Sequence, residues 1–156
     1  MILAIDIGNT NIVVGCIDEQ ETCFVERIST STDQTTLEYA ITFKNILELY
    51  HINPKGLEGA IISSVVPNIS NTVRRSVEKV IGKPCLLVGP GVKTGLNIQM
   101  DNPATVGSDL VVTAVAGIKE YKAPFVVIDM GTATTITCVD KNHNYIGGAI
   151  MPGVRV

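Results

Sequence analysis

Phe125-Val126-Val127-Ile128-Asp129-Met130-Gly131-Thr132 repeats the pattern of Leu3-Ala4-Ile5-Asp6-Ile7-Gly8-Asn9, and this recurrence decides the fold. Each copy is an apolar run closed by an Asp-x-Gly step with Thr or Asn behind it. With one gap allowed, Cys16-Ile17-Asp18 meets Cys138-Val139-Asp140 downstream. Such a unit reads as a buried strand, a polar turn, a second strand and a hairpin. One architectural unit is therefore expected twice.

Outward from the first copy, residues 2–5, 12–17 and 23–28 read as an antiparallel meander, with a polar turn at 18–21. A helix follows, capped by Ser31 with Gln34 or by Thr35 with Glu38. Its core face is Tyr39, Phe43, Ile46, Leu47 and Tyr50 at helical spacing. Ala60-Ile61-Ile62 is a strand, and Pro67 opens a second helix that Gly82 and Pro84 close. After a short strand at 85–88 and a Gly-rich loop at 89–95, Asn102-Pro103 starts a helix running to about Glu120. Three strands followed by alternating helices and strands make an α/β layout. The second copy supplies strands and a hairpin at 141–144, then a third strand at 145–150. No helices follow it. The chain is expected to stop inside its second domain, at Pro152-Gly153-Val154-Arg155-Val156, so that either the parent protein is longer or a partner chain covers that sheet.

The bulk composition excludes several classes. The chain has 156 residues, 46% hydrophobic and 17% charged, which is unlike a disordered protein. Its net charge of -3 and scattered basic residues argue against nucleic-acid binding. Four cysteines without C-x-x-C spacing, and only two histidines, read as reduced thiols rather than a zinc site or disulfide framework. No signal peptide or membrane-spanning run is evident. A cytoplasmic protein without a membrane partner is expected.

An Asp-x-Gly turn after a buried strand suits phosphate chemistry. The aspartate can hold a cation or orient a water, and the glycine lets the backbone approach an anion. Turn N–H groups and a Thr hydroxyl can then cradle phosphate. Taken singly, the motif reads more simply as a strand end or turn. Two copies, Gly8-Asn9-Thr10 and Gly131-Thr132-Ala133-Thr134-Thr135, move the reading to binding, as a clamp on a polyphosphate. Gly107-Ser108-Asp109 lies about one turn into the third helix. A glycine there costs about 1 kcal/mol relative to alanine, which invites a packing or ligand explanation. Asp109 reads equally as a general base for an attacking alcohol or as a solvated helix carboxylate.

Together these segments resemble the type III pantothenate kinase family, whose members are also labelled Bvg accessory factor-like. The resemblance runs from Met1 to the last residue. It rests on Asp6-Ile7-Gly8-Asn9-Thr10-Asn11, Ser63-Ser64-Val65-Val66-Pro67 and Asn102-Pro103 followed by Val106-Gly107-Ser108-Asp109. It continues through Asp129-Met130-Gly131-Thr132-Ala133-Thr134-Thr135 and Gly147-Gly148-Ala149-Ile150-Met151-Pro152-Gly153. It implies a duplicated actin-like ATPase (RNase H-like) fold, with residues 1–120 as the first domain and 121–156 as the start of the second. It implies ATP-dependent phosphorylation of pantothenate, the first step of coenzyme A biosynthesis, by a cytoplasmic homodimer.

By the same resemblance, Asp6, Ile7, Gly8, Asn9, Thr10, Asn11, Ile12 and Val13 form the first nucleotide loop. Gly131 and Thr132 contact ATP from the second. Asp129 binds a monovalent cation, potassium or ammonium; magnesium neutralises the phosphates; and Asp109 is the proton acceptor. Met100, Gly107, Ser108, Asp109 and Leu110 line the substrate site. Two departures stand out. The family motif Gly-Ala-Asp-Arg is here Gly107-Ser108-Asp109-Leu110, and Met100 stands where a tyrosine is usual. Leucine cannot make a charge-assisted bond to a carboxylate. A kinase for pantothenate or an analogue is the leading reading. The alternative is a non-catalytic nucleotide-binding regulatory paralogue, or a kinase for a different acceptor.

Overall fold

The computed structural model describes residues 1–19 and 21–153; Gln20 of the expected polar turn and residues 154–156 of the expected terminal stretch lie outside the described residues. The chain divides into two compact units, Met1–Val88 and Gly89–Val156.

The first unit carries a mixed sheet with strand order β3-β2-β1-β4-β5. Its strands are β1 (Ile2–Ile7), β2 (Asn11–Ile17), β3 (Thr22–Ser29), β4 (Gly59–Ser64) and β5 (Cys85–Leu87). β1, β2 and β3 form the expected antiparallel meander, while β4 runs parallel to β1 and β5 parallel to β4. Alternation puts Leu3, Ile5 and Ile7 of β1 on one face with Ile12, Val14 and Cys16 of β2, all buried. Two helices contribute to the same core, α1 (Thr36–Leu49) through Tyr39, Phe43 and Leu47, and α2 (Pro67–Ile81) through Ile69, Val73 and Val77. Each fully buried aliphatic side chain contributes about 1.5–3 kcal/mol.

Between the two possible caps of α1, Thr35 with Glu38 forms the capping box. Ser31 is engaged elsewhere: its N–H donates to the Tyr39 hydroxyl at 3.1 Å, and that hydroxyl donates to Ser31 O at 2.7 Å. α2 has Pro67 in its first turn and ends on Gly82 at φ 70°, a left-handed position that favours glycine.

The second unit has strand order β6-β9-β8-β7. The strands are β6 (Asn97–Ile98), β7 (Phe125–Met130), β8 (Ala133–Val139) and β9 (Asn144–Pro152), with helix α3 (Ser108–Glu120) packed on β7 and β8. β6, a two-residue pairing with β9, was not expected. The long helix expected from Pro103 is broken. A single 3-10 turn spans Pro103–Thr105, Val106 is extended, and Gly107 (ψ 145°) precedes α3 as its N-cap. Gly107 is thus a boundary residue, not an interior one. The glycine inside α3 is Gly117, where a Cβ would lie 2.7 Å from the Phe125 ring.

The repeat is present in three dimensions. β1 and β7 are six residues long, and Asp6 and Asp129 are penultimate in each. The gap falls in the turn: Gly8, Asn9 and Thr10 join the first pair of strands, Gly131 and Thr132 the second. Both meanders carry a register shift at the matched cysteine, between Cys16 and Ile17 and between Cys138 and Val139. The faces are used differently. Val126, Ile128 and Met130, which correspond to the buried Leu3, Ile5 and Ile7, are 56%, 61% and 70% exposed. α3 lies on the opposite face, over Phe125, Val139 and Tyr145. All four cysteines are free.

Candidate functional site

Asp6 sits between Val13 of β2 and Ser63 of the parallel strand β4, near the carboxyl ends of β1 and β4. Ligands of open α/β sheets bind beyond such strand ends. Asp6 is exposed and Ser63 is buried. The turn after β1 is held from three directions. Gly8 donates its N–H to Asn11 O at 2.9 Å, and Val65 donates to Ile7 O at 3.0 Å. Thr30 donates its hydroxyl to Gly8 O at 2.7 Å and its N–H to Thr10 O at 3.0 Å.

The predicted loop residues divide by environment. Ile7 and Ile12 are fully buried in the core, so only their backbone can serve a ligand. Asn9 and Thr10 are exposed, while Gly8, Asn11 and Val13 are half-buried. Beside this turn, Ser64 Oγ accepts from Val66 N–H at 3.1 Å and lies 2.7 Å from the Ser70 hydroxyl. These bonds fix the chain where β4 passes into α2.

The second turn repeats the arrangement within its own unit. Gly131 donates to Ala133 O at 3.0 Å. Asp129 is exposed and pairs with Thr135 in register. Alternation along β7 puts Asp129 on the same face as Phe125 and Val127, the face that α3 covers. Gly153, buried just past β9, closes against the carbonyls of Gly131 and Thr132. Asp129 offers carboxylate oxygen, which suits a hard cation such as an alkali or alkaline-earth ion. Among the described residues, no group of three or more His, Cys, Asp and Glu converges in a way that would hold a metal.

Asp109 lies in the first turn of α3 and is half-buried. Its carboxylate folds back over Gly107, where a Cβ would overlap Oδ1 and lie 3.6 Å from Cγ. A helix N-terminus favours a negative charge at that place. Burial, first, and then the charges of Cys138 and Asp109 push the Tyr145 phenol up, against a hydrogen bond with Thr137. Leu110 turns to the apolar cluster around Ala114, Val139 and Tyr145. Met100, partly exposed, has its sulfur 3.8 Å from where a Cβ on Gly147 (φ 142°) would stand.

With this geometry in hand, comparison is decisive for the family: the type III pantothenate kinase profile matches residues 2–156. The chain belongs to the type III pantothenate kinase family. Solved structures share the fold at low identity. A reductive activator for a corrinoid, iron-sulfur protein superposes with TM-score 0.60 at 14% identity, covering 96% of this chain and 31% of that one. A putative N-acetylglucosamine kinase from Porphyromonas gingivalis gives 0.55 at 12%, covering 96% and 47%. A ROK hexokinase from Thermus thermophilus gives 0.50 at 13%, covering 89% and 45%. The fold is the α/β actin-like ATPase fold, and the chain spans less than half the length of these three neighbours. Among the described residues no helix is long and apolar enough to cross a membrane.

Thr30 and Gly153 escaped the sequence reading. Thr30 is one of four consecutive hydroxyl residues, Ser29 to Thr32, and nothing local singles it out. Gly153 had a weak signal, a Pro-Gly step at the end of the third strand of the repeat.

Proposed function

We propose that this protein phosphorylates pantothenate, or a close analogue, at the expense of ATP. The observation that carries the reading is the duplicated Asp-x-Gly turn, with both glycines making the same hydrogen bond in matched meanders. Two such turns suit oriented N–H dipoles on a polyphosphate better than two unrelated strand ends do. The backbone from Asp6 to Val13, with Gly131 and Thr132, would hold the nucleotide. Asp129 would hold potassium or ammonium, and magnesium would accompany the phosphates. These ions supply charge neutralisation where negative charge gathers.

Asp109 accepts the proton of the acceptor hydroxyl as that oxygen bonds to the γ-phosphorus and the bond to the departing ADP breaks. Its place beside Gly107 supports this role, because the short aspartate stem keeps the carboxylate close to the N-terminus of α3. Met100, Gly107, Ser108 and Leu110 would line the acceptor site. On motif repetition, residues 1–120 form the first actin-like domain and 121–156 open the second, in a cytoplasmic homodimer.

A specific observation favours a second reading. Leu110 stands where the family has arginine and packs among apolar side chains, so position 110 offers no charge-assisted partner to the acceptor carboxylate. A regulatory nucleotide-binding paralogue, or a kinase for another acceptor, would fit that loss. The experiment is ATP turnover with and without pantothenate, in potassium and then sodium buffer. Pantothenate-dependent, potassium-dependent turnover supports the kinase. ATP binding without it transfers the reading to the second alternative.

A further inference from the structure

Thr30 and Gly153 occupy the same place in the two meanders: each is the first residue after the third strand, since β3 ends at Ser29 and β9 at Pro152. Each also meets the carbonyl side of its own meander's Asp-x-Gly turn. Thr30 does so by hydrogen bonding, through its hydroxyl to Gly8 O at 2.7 Å and its N–H to Thr10 O at 3.0 Å. Gly153 does so by close approach. A Cβ on it would overlap the carbonyl oxygens of Thr132 and Gly131 and lie 2.8 Å from the Thr132 carbonyl carbon.

A trans peptide plane carries its C=O and the following N–H on opposite sides. Holding Gly8 C=O against Thr30 therefore sets the direction of the Asn9 N–H. Gly153, having no Cβ, leaves room for the Gly131 C=O and so for the peptide plane that carries the N–H of Thr132, the equivalent residue of the second copy. We infer that Thr30 and Gly153 are positioning residues, each setting the peptide plane of its own unit's turn so that the N–H dipole there is oriented for a phosphate. The inference rests on the nucleotide reading above and extends it to residues that never touch the ligand. Pre-set dipoles need no reorganisation when the anion arrives, which is where such positioning gains affinity.

The role differs from ordinary strand capping in what it moves. A cap would alter stability and leave ligand discrimination unchanged, whereas a positioning residue acts on phosphate and not on the nucleoside. Binding of ATP, tripolyphosphate and adenosine would be measured on the protein and on Thr30→Val, Thr30→Ser and Gly153→Ala. Thr30→Val should weaken ATP and tripolyphosphate about tenfold, the scale of one hydrogen bond, and leave adenosine unchanged. Thr30→Ser, which keeps the hydroxyl, should stay within about twofold of the parent. Gly153→Ala tests the second turn independently and should weaken the same two ligands. Unchanged ATP affinity in both Thr30→Val and Gly153→Ala overturns the inference, as does an equal loss for adenosine. An unaltered protein that binds neither ATP nor tripolyphosphate overturns the nucleotide reading first, and the inference with it.

Discussion

Gly8 and Gly131 make the same hydrogen bond in the two turns: each donates its N–H to the carbonyl of the residue that opens the next strand, Asn11 at 2.9 Å and Ala133 at 3.0 Å. The turns nevertheless differ by one residue, and the longer one is tighter at its glycine. A Cβ on Gly8 would stand 3.1 Å from Asn11 O, whereas one on Gly131 would stand 3.6 Å from Ala133 O, an ordinary contact.

Gly8→Ala and Gly131→Ala should therefore separate stability from binding. Gly8→Ala must push its own turn acceptor away and should lower the melting temperature, by about 1 kcal/mol of stability, the scale of a strained turn hydrogen bond. Gly131→Ala should melt like the parent. Both should weaken ATP, because a methyl group on the turn keeps the phosphate from the backbone. Thermal denaturation alongside ATP titration checks this, and equal melting shifts would contradict it.

Gly117 gives a test whose sign runs against helix propensity. Alanine in place of an interior helical glycine ordinarily stabilises by about 1 kcal/mol. Here the added methyl would meet Phe125 ring carbons at 2.7 and 2.8 Å, so α3 must lift from β7 or the ring must turn. Gly117→Ala should destabilise by about 1–3 kcal/mol, as overpacking does. Adding Phe125→Leu should recover most of the loss. Denaturant titration of the single and double variants reads both effects.

The hairpin after β8 predicts a pH dependence. Asp140 is held below its usual carboxylate value of 3.8, first by the Asn144 side chain, then by the Asn144 and Asn142 N–H groups. Its folded pKa is depressed, so its contribution is full above the ordinary value and is lost as pH falls through the lower one. Glu38 behaves alike, its carboxylate lowered first by the Thr35 N–H and then by the Thr35 hydroxyl. Melting temperature should thus fall as pH drops from about 5 to about 3. Asp140→Ala should melt lower at neutral pH and show a shallower fall, and an unchanged slope would remove the hairpin from this account.

How much of this was legible beforehand follows from how local each signal is. The repeat could be read because Asp-x-Gly and the matched Cys-x-Asp steps are turn and bulge chemistry, written within a few residues. The cap of α1 could be read only to a choice of two. Ser31 and Thr35 are equivalent until Tyr39, brought back by the helix, takes the Ser31 backbone. Gly107 looked like a helix interior because Asn102-Pro103 is a sound start signal. What breaks the helix is an extended Val106–Gly107 step with the Asp109 carboxylate folded over it. Thr30 was not legible, and Gly153 was legible only as part of a Pro-Gly step without a role, since their contacts exist only after the third strand returns to the first turn.

Leu110 permits the sharpest test of the acceptor. It packs with Val106 and Ile118 against Ala114, Val139 and Tyr145, so it is part of the small core of its unit as well as a neighbour of Asp109. Leu110→Arg should move two quantities in opposite directions. Stability should fall by about 1–2 kcal/mol, as a half-buried aliphatic side chain is lost and the guanidinium stem covers only part of the gap. Affinity for an acceptor bearing a carboxylate should rise by about tenfold, because a guanidinium bonds a carboxylate through two charge-assisted hydrogen bonds. A control acceptor with an amide in place of the carboxylate should gain nothing. If pantothenate is the acceptor, its KM falls in Leu110→Arg while the ATP KM stays as it was. If KM for pantothenate does not move, the acceptor carboxylate does not approach residue 110, and the family's substrate geometry does not carry over to this chain.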